Sequence, residues 1–294
     1  MPSKKSLLIC VVGPTAIGKT ALSIEIANFF SSEIISADSR QFFKEMSIGT
    51  AVPSSEELEA VPHHFIQNKS IFDGYSVGDF EKEALTQLDV LFNVHPIVVM
   101  VGGSGLYVDA VVKGLDNFPK VDPTIREALN AIFDAEGLQA LQEELKIADP
   151  DYYKKVDIYN HHRLIRALEI YRGTGKPFSS FMNQDSQERN FNTLFIGLTA
   201  ERAVIYDRIN RRVDVNVYFF IIMPHKELNA LQTVGYRELF QYFEGTLTLD
   251  EAISEIKKNT RRFSKRQTTW FKKNDAIHWF DFETDPSEII KFIQ

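Results

Sequence analysis

The chain of 294 residues has the composition of an ordinary globular protein, with 44% hydrophobic and 25% charged residues and no excess of glycine or proline. This composition excludes a disordered, collagen-like or coiled-coil chain. The single cysteine, Cys10, excludes a disulfide framework and a zinc site built on cysteines. The net charge of −7, taken alone, argues against a nucleic-acid partner. Because the sequence shows neither a signal-type leader nor a stretch of about 18 apolar residues, we expect a cytoplasmic protein without a membrane partner.

The first forty residues predict a βαβ unit. The apolar run 7–12 is typical of a strand buried on both faces, and the helical pattern that follows places Leu22 and Ile26 on one side. A second short strand covers 33–37 and ends at Asp38. Two strands joined through a helix predict a parallel sheet with right-handed crossovers.

A glycine-rich loop inside this unit fits the pattern G-x-x-x-x-G-K-[ST] at every specified position. Its residues are Gly13, Pro14, Thr15, Ala16, Ile17, Gly18, Lys19 and Thr20. Glycines let successive backbone N–H groups surround phosphate oxygens, and the next helix adds its positive dipole end. Lys19 supplies a charge to the terminal phosphate, and the Thr20 hydroxyl suits Mg²⁺. The loop therefore predicts a bound di- or triphosphate, but it does not say which reaction follows.

Asp38 is a candidate general base. It follows a predicted strand at the edge where open α/β sheets bind ligands, next to the phosphate loop. The alternative is that Asp38 only caps the N-terminus of a helix. A kinase or ATPase would be expected to carry an acid directly after the strand at 96–101, which is followed instead by Gly102 and Gly103.

The middle of the chain changes in character. Residues 122–172 show repeated helical spacing and no strand pattern. Beyond the first two strands, short apolar runs predict further strands at 96–101, 194–198 and 277–280. We therefore predict an α/β fold with a P-loop NTPase-like parallel sheet core flanked by helices over 1–118 and 192–294, and an all-helical insertion domain over 119–191.

The last long helix is predicted at 249–273. A mostly apolar seam recurs along it at spacings of three and four, at Ile253, Ile256, Thr260, Phe263, Gln267 and Trp270. The segment 257–273 carries eight Lys and Arg residues and no acid, so the remaining chain carries −15. Because phosphate binding depends on the local field, this basic helix is a candidate RNA contact, although a solvated face is the ordinary alternative.

Several motifs together resemble those of the bacterial tRNA dimethylallyltransferases. They occur in order along nearly the whole chain, at 13–20, 35–41, 48–51, 62–64, 102–107, 162–169, 234–238 and 260–270. The resemblance implies transfer of a dimethylallyl group from dimethylallyl diphosphate to the exocyclic amine of the adenosine 3′ of the anticodon in tRNA. It implies that Asp38 takes the proton of that amine, while Lys19, Thr20 with Mg²⁺, and Arg212 stabilise the leaving diphosphate.

The resemblance also implies a set of residues that bind the anticodon stem-loop of tRNA. They are Asp38, Ser39, Arg40, Gln41, Ser104, Arg126, His162, Arg163, Leu164, Ile165, Arg166, Gln232, Thr233, Val234, Gly235, Tyr236 and Arg237. On the basic helix, Arg261, Arg262 and Lys265 are expected to contact the RNA backbone. The acting species is expected to be a monomer.

One segment departs from the family pattern. After Arg212 these transferases continue with an acidic amphipathic helix that contains a Gly-Leu pair, whereas residues 215–223 here are apolar and β-branched. Such a composition predicts a strand. The departure bears on the structure beyond Arg212, but not on the phosphate loop or Asp38.

Other functions remain open from the residues alone. An adenylate isopentenyltransferase acting on free AMP would share the loop and the chemistry, but it would need neither the helical insertion nor the basic helix. A P-loop small-molecule kinase or NTPase would turn over ATP without the basic helix, and an RNA-binding protein could use the loop only as a nucleotide switch. The pairs His63-His64 and His161-His162 lack a third ligand at metal spacing, so no metal site is expected there.

Overall fold

The computed structural model describes residues 6–47, 49–182, 188–216 and 225–294, without the side chains of 215 and 216. The chain forms two compact units. The sheet unit comprises Met1–Lys113 and Arg189–Gln294, and the helical unit comprises Gly114–Glu188.

The strands all belong to the sheet unit. They are β1 (Ser6–Val12), β2 (Ile34–Ser36), β3 (His63–His64), β4 (Ile97–Gly102), β5 (Phe191–Thr199) and β6 (Ile277–Asp281). They form one sheet in the order β3-β2-β4-β1-β5-β6, and every neighbouring pair is parallel. The predicted parallel sheet is therefore confirmed, although β3 was not predicted because two residues are too short to show a period.

The helices in chain order are α1 (Lys19–Phe29), α2 (Ser55–Ala60), α3 (Val77–Phe92), α4 (Gly105–Lys113), α5 (Pro123–Glu136), α6 (Leu138–Ala148), α7 (Pro150–Tyr153), α8 (His161–Thr174), α9 (Arg202–Asn216), α10 (Tyr236–Phe243), α11 (Leu249–Phe271) and α12 (Pro286–Ile293). Helices α5 to α8 lie in the helical unit, and the others lie in the sheet unit. Within the described ranges, no helix combines the length and the hydropathy needed to cross a membrane.

Side chains of β1 alternate between the two faces of the sheet. Ile9 packs in one cluster with Ile26 of α1. Cys10 packs in the opposite cluster with Phe80 of α3. Every side chain from Leu8 to Val12 is fully buried, so the predicted strand buried on both faces is confirmed.

The helical unit begins and ends earlier in the chain than the predicted insertion at 119–191. Arg189 already belongs to the sheet unit, where its guanidinium donates to the backbone carbonyls of Ala110 and Val111 and pairs with Glu81. The strand β5 then starts at Phe191. The predicted boundary fell too late because the polar residues before this strand carry no periodic pattern.

The apolar seam predicted on α11 is wrong at two positions. Phe263 is 37% exposed and Trp270 is 39% exposed. The buried side follows a different row, Ala252, Ile256, Thr260, Ser264, Gln267 and Phe271. The error arose because large aromatic residues were counted as buried, whereas the Phe263 ring lies under the Arg266 guanidinium and the Trp270 indole donates to Asp109.

The strand predicted at 215–223 is contradicted at its start. Helix α9 continues through Asn216, so residues 215 and 216 are helical. The i,i+4 ion pair between Arg211 and Asp207 supports this helix. The rest of the predicted strand, 217–223, lies outside the described residues.

Candidate active site

The phosphate loop connects β1 to α1 through two glycines that no other residue could replace without strain. At Gly13 the backbone φ is +141°, and a Cβ would lie 2.6 Å from the Leu198 carbonyl oxygen. Gly18 has φ +108° directly before the first residue of α1. The backbone therefore turns sharply into the helix, whose N-terminus lies at the loop and favours an anion there.

Three cationic side chains donate hydrogen bonds to groups of the loop. Lys19 Nζ donates to the Pro14 carbonyl oxygen at 2.8 Å. On α9, Arg208 Nε donates to the Ala16 carbonyl oxygen at 2.6 Å, and Arg212 Nη2 donates to Thr15 Oγ1 at 2.9 Å. Because Arg208 and Arg212 are four residues apart on a helix, both reach the loop from one helical face.

The loop lines a cavity of about 560 Å³ within the sheet unit. All four residues predicted to be catalytic line this cavity, namely Asp38, Lys19, Thr20 and Arg212. Other walls come from the chain between β2 and β3, from the loop after β3 and from α9, including Ala51, Val52, Pro53, Ile66, Arg208 and Arg211. The cavity therefore combines a cationic wall with a carboxylate and an apolar wall.

Asp38 is a partly buried carboxylate close to cationic side chains. Burial raises its pKa, while the backbone N–H of Arg40 and the charges of Lys19 and Arg212 lower it, and the net direction is upward. Asp38 begins no helix: its Oδ1 accepts from the Arg40 backbone N–H at 3.1 Å within a turn. The helix-cap alternative is therefore wrong, and a carboxylate with a raised pKa is a stronger proton acceptor.

Burial destabilises the charged forms of Lys19 and Arg212. Burial is the main cause that lowers the pKa of Lys19 to about 8, opposed by the charge of Asp38 and assisted by that of Arg212. Burial also lowers the pKa of Arg212, against the effect of Asp38. A bound diphosphate would offset this cost, since an opposite charge favours the protonated amine.

The cavity offers oxygen donors of the type that suits Mg²⁺. Among the described residues, no group of three or more His, Cys, Asp and Glu side chains is placed to hold a metal. Mg²⁺ commonly uses one or two protein oxygens together with water and substrate phosphates. The Thr20 hydroxyl at the cavity wall fits that arrangement, with a diphosphate supplying the other oxygens.

The segment 38–41 is joined to neighbouring loops by its own side chains and backbone. Gln41 is buried, accepts from Ser36 Oγ at 2.9 Å and donates to the Ala51 carbonyl oxygen at 2.6 Å. The Ser39 backbone N–H donates to Ser104 Oγ at 3.1 Å. Gln41 therefore shapes the cavity wall. Ser39 and Ser104, which were both predicted to contact RNA, lie side by side.

Three of the predicted RNA-binding side chains lie inside hydrophobic cores. Leu164 is 0% exposed and Ile165 is 1% exposed in the core of the helical unit, and Tyr236 is 2% exposed against Phe240. The structure contradicts side-chain contact with RNA for these three. The motifs contain these three residues because a helix that exposes polar residues on one side must also pack apolar residues against the core on the other.

Other predicted RNA contacts lie on the surface of their units. Exposed members are His162, Arg163, Gln232, Arg237, Arg262 and Lys265, with Arg126 partly engaged in an ion pair. Within the helical unit, Arg126 and Arg166 both bind Glu169, with shortest nitrogen–oxygen distances of 2.7 and 3.0 Å. Burial raises the pKa of Glu169, but its hydrogen bonds and charge interactions with the two arginines outweigh that effect, so the pKa is lowered and this carboxylate stays charged.

The cations of the basic helix are not equivalent. Arg261 is half-buried, donates to Asn210 Oδ1 at 2.9 Å and lies over the Tyr206 ring. By contrast, Arg262 and Lys265 are exposed. Arg261 therefore stabilises the packing of α11 on α9, and the exposed pair is better placed for a phosphate backbone.

Two residues that hold the loop were missed by the sequence interpretation. Arg208 had a usable signal, because it lies one helical turn before Arg212. Gln267 donates to the Gly103 carbonyl oxygen at 2.9 Å and accepts from the Thr15 N–H at 2.8 Å. Its only signal was a long polar side chain on a seam that was otherwise mostly apolar.

Comparisons with known proteins show the family of this chain. The family model for IPP transferase matches residues 41–274. A tRNA dimethylallyltransferase of Christiangramia forsetii is 59% identical over 293 residues, which cover 98% of this chain and 97% of that relative. A tRNA dimethylallyltransferase of Flavobacterium johnsoniae is 56% identical over 298 residues, with 97% and 96% coverage.

Solved structures show the same fold. The full-length tRNA isopentenylpyrophosphate transferase of Bacillus halodurans has a TM-score of 0.72 at 38% identity and covers 98% of this chain and 96% of its own. A eukaryotic dimethylallyltransferase acting on tRNA has a TM-score of 0.78 at 26% identity, with 96% and 75% coverage. The predicted α/β fold class is thereby confirmed, and the chain belongs to the IPP transferase family.

Proposed function

We propose that this chain transfers the dimethylallyl group of dimethylallyl diphosphate to the exocyclic amine of the adenosine 3′ of the anticodon in tRNA, with release of diphosphate. The observation that carries the proposal is one cavity lined by Asp38, Lys19, Thr20 and Arg212, in a chain 59% identical to a tRNA dimethylallyltransferase.

The phosphate loop binds the diphosphate of the prenyl donor. Negative charge develops on the bridging oxygen as the carbon–oxygen bond breaks. Lys19 and Arg212 lie at the cavity wall with the N-terminus of α1, so their charges act where that oxygen leaves. Arg212 additionally holds Thr15 Oγ1, which ties the position of the guanidinium to the loop.

Asp38 removes the proton from the acceptor nitrogen. An aromatic amine is a poor nucleophile, and its proton becomes acidic only as the new carbon–nitrogen bond forms. As that bond forms, the bond from the dimethylallyl carbon to the diphosphate oxygen breaks, and the proton passes from the nitrogen to the Asp38 carboxylate. Burial raises the pKa of Asp38, which suits it to accept a proton at that moment.

Mg²⁺ is the cofactor that this site accommodates, with Thr20 as the protein group that would hold it. When bound, it supplies positive charge to the diphosphate oxygens. Removal of the metal with a chelator should lower transfer strongly, and added Mg²⁺ should restore it.

The acceptor is tRNA rather than free AMP. The relatives with the highest identities quoted above are named for action on tRNA, and both exposed cations on α11 and exposed polar residues on α8 are available for a large RNA. A free nucleotide needs neither surface. A kinase or NTPase is disfavoured because Asp109, the first acid after β4, binds Trp270 and Lys113 and does not line the cavity.

One chain supplies all four residues proposed to be catalytic, so the proposed reaction needs no residue from a second copy, and we propose a monomer as the acting species. Since tRNA is the proposed substrate, the proposed location of the reaction is the cytoplasm.

The test is incubation with labelled dimethylallyl diphosphate and Mg²⁺ in the presence of bulk tRNA, AMP or no acceptor. Label should enter tRNA only. Label in AMP would instead support an adenylate isopentenyltransferase, and ATP hydrolysis without prenyl transfer would support an NTPase.

A further inference from the structure

Gln267 connects the basic helix to the phosphate loop through a buried side-chain amide. It is 5% exposed on α11. Its Oε1 accepts from the Thr15 backbone N–H at 2.8 Å, and its Nε2 donates to the Gly103 carbonyl oxygen at 2.9 Å. The two backbone groups belong to loops that follow the neighbouring strands β1 and β4, which are paired in register at Val12 and Gly102.

The surrounding backbone leaves room for this amide only because residue 103 is glycine. A Cβ at Gly103 would lie 2.3 Å from Gln267 Nε2 and 3.4 Å from its Cδ. Separations below about 3 Å force one group to move. Gly103, the first residue after β4, therefore leaves the space that the Gln267 amide occupies.

The bond to Gln267 orients one peptide unit of the phosphate loop. The Pro14 carbonyl oxygen accepts from Lys19 Nζ at 2.8 Å, and the Thr15 N–H of the same peptide donates to Gln267. The C=O and N–H of a trans peptide point in opposite directions. Fixing the N–H on Gln267 therefore fixes the direction of the carbonyl that holds Lys19.

We propose that Gln267 is a positioning residue for the diphosphate site: it holds the Pro14–Thr15 peptide so that Lys19 and Thr15 stay in the geometry that receives the diphosphate. This inference rests on the proposed role of the loop in binding the diphosphate of the prenyl donor. It predicts that loss of the amide weakens donor binding while RNA binding to the exposed face of α11 is unchanged.

The experiment compares wild type with Gln267→Met, which keeps the length of the side chain but removes both polar atoms. The KM for dimethylallyl diphosphate should rise at least tenfold, while the KM for an anticodon stem-loop RNA stays within twofold. The Kd for inorganic diphosphate with Mg²⁺, measured by calorimetry, should rise in parallel. An unchanged donor KM, or an equal rise for both substrates, overturns the proposal.

A second variant reaches the same contact without changing Gln267. Gly103→Ala should displace the amide and raise the donor KM, and the effect should be non-additive with Gln267→Met in a double-mutant cycle. Full additivity overturns the proposal. The control is Thr268→Val, whose native hydroxyl donates only to the Ser264 carbonyl of its own helix at 3.1 Å and should leave the donor KM unchanged.

Calorimetry separates this inference from the proposed function. If the wild type transfers no prenyl group but binds inorganic diphosphate at least tenfold more tightly than Gln267→Met, the proposed function fails and the positioning role stands. If the wild type transfers prenyl to tRNA and Gln267→Met binds diphosphate equally well, only the positioning role fails.

Discussion

The sheet unit and the helical unit use buried polar side chains for different purposes. In the sheet unit, the buried Gln267 reaches a phosphate loop that lines a cavity. In the helical unit, the buried carboxylates of Asp149 and Glu169 bind groups of the same unit, Ser179 and Arg126 among them. A buried polar group therefore indicates a functional site where its partners line a cavity, and indicates stabilisation of the fold where its partners surround it completely.

The predicted catalytic residues and the predicted RNA contacts have different outcomes, and a buried RNA contact occurs in the sheet unit too, at Tyr236. In the sheet unit, all four predicted catalytic residues line one cavity. In the helical unit, two of the predicted RNA contacts, Leu164 and Ile165, lie in the core instead. The motifs predicted which residues line the cavity. They could not predict surface contacts, because that requires knowing which side of a helix faces solvent.

The largest expected effect comes from Asp38, which tests whether the cavity performs the chemistry. Asp38→Asn keeps an oxygen that can accept from the Arg40 N–H but removes the proton acceptor. The kcat for transfer to tRNA should fall by about 10²-fold or more, in line with loss of a general base. Binding of inorganic diphosphate should stay near the wild-type value. Turnover equal to that of wild type would remove Asp38 from the mechanism.

The next effect is on stability and tests the helical unit. Leu164→Ala should lower the free energy of unfolding by about 2–5 kcal/mol, because it leaves a cavity in a closed apolar core. Urea unfolding followed by circular dichroism measures the change. The matched variant Arg163→Ala changes an exposed neighbour on the same helix and should shift stability by less than about 0.5 kcal/mol. Equal stability of both variants would place Leu164 outside the core.

A pH profile of kcat/KM for dimethylallyl diphosphate tests the electrostatics of the loop. In the proposed mechanism Lys19 binds the diphosphate in its protonated form, and burial is the main cause that lowers its pKa to about 8. Because kcat/KM reports the ionisation of the free enzyme, kcat/KM should fall about tenfold per pH unit above the pKa of Lys19. On the acid side, activity should be lost as Asp38 takes up a proton, at a pH above the ordinary range of a carboxyl because burial raises its pKa.

The control for the alkaline limb is Lys19→Arg. A guanidinium stays protonated throughout this range, so the decline near pH 8 should disappear even if the overall rate is lower. Persistence of the decline in that variant would assign it to another group.

The smallest expected effect concerns the exposed cations of α11. Lys265→Glu should weaken binding of an anticodon stem-loop a few-fold at low salt and reduce the slope of log affinity against log salt by about one. Filter binding at several salt concentrations measures both. Lys291→Glu changes an equally exposed lysine on α12 and serves as the charge-matched control. Identical salt slopes for the two variants would mark the basic helix as a solvated face.

Much of the sheet unit could be predicted because its signals are local. The apolar run of β1, the glycine pattern of the loop and the position of Asp38 after β2 each depend on a few consecutive residues. The exposed positions of Phe263 and Trp270 could not be predicted, because the rotation of a helix about its axis is set by what packs against it. The same limit applied to Leu164, which follows the exposed residues His162 and Arg163 in the motif.

By itself, the sequence determined that a phosphate-binding loop joins a buried strand to a helix, that the sheet is parallel and that a carboxylate stands at its carboxyl edge. Only the tertiary structure decided which side chains hold that loop. Gln267 bonds to a residue 252 positions away and Arg208 to one 192 positions away. Backbone preferences and periodicity act over a few residues, whereas these contacts depend on how helices pack and on the space that Gly103 leaves free.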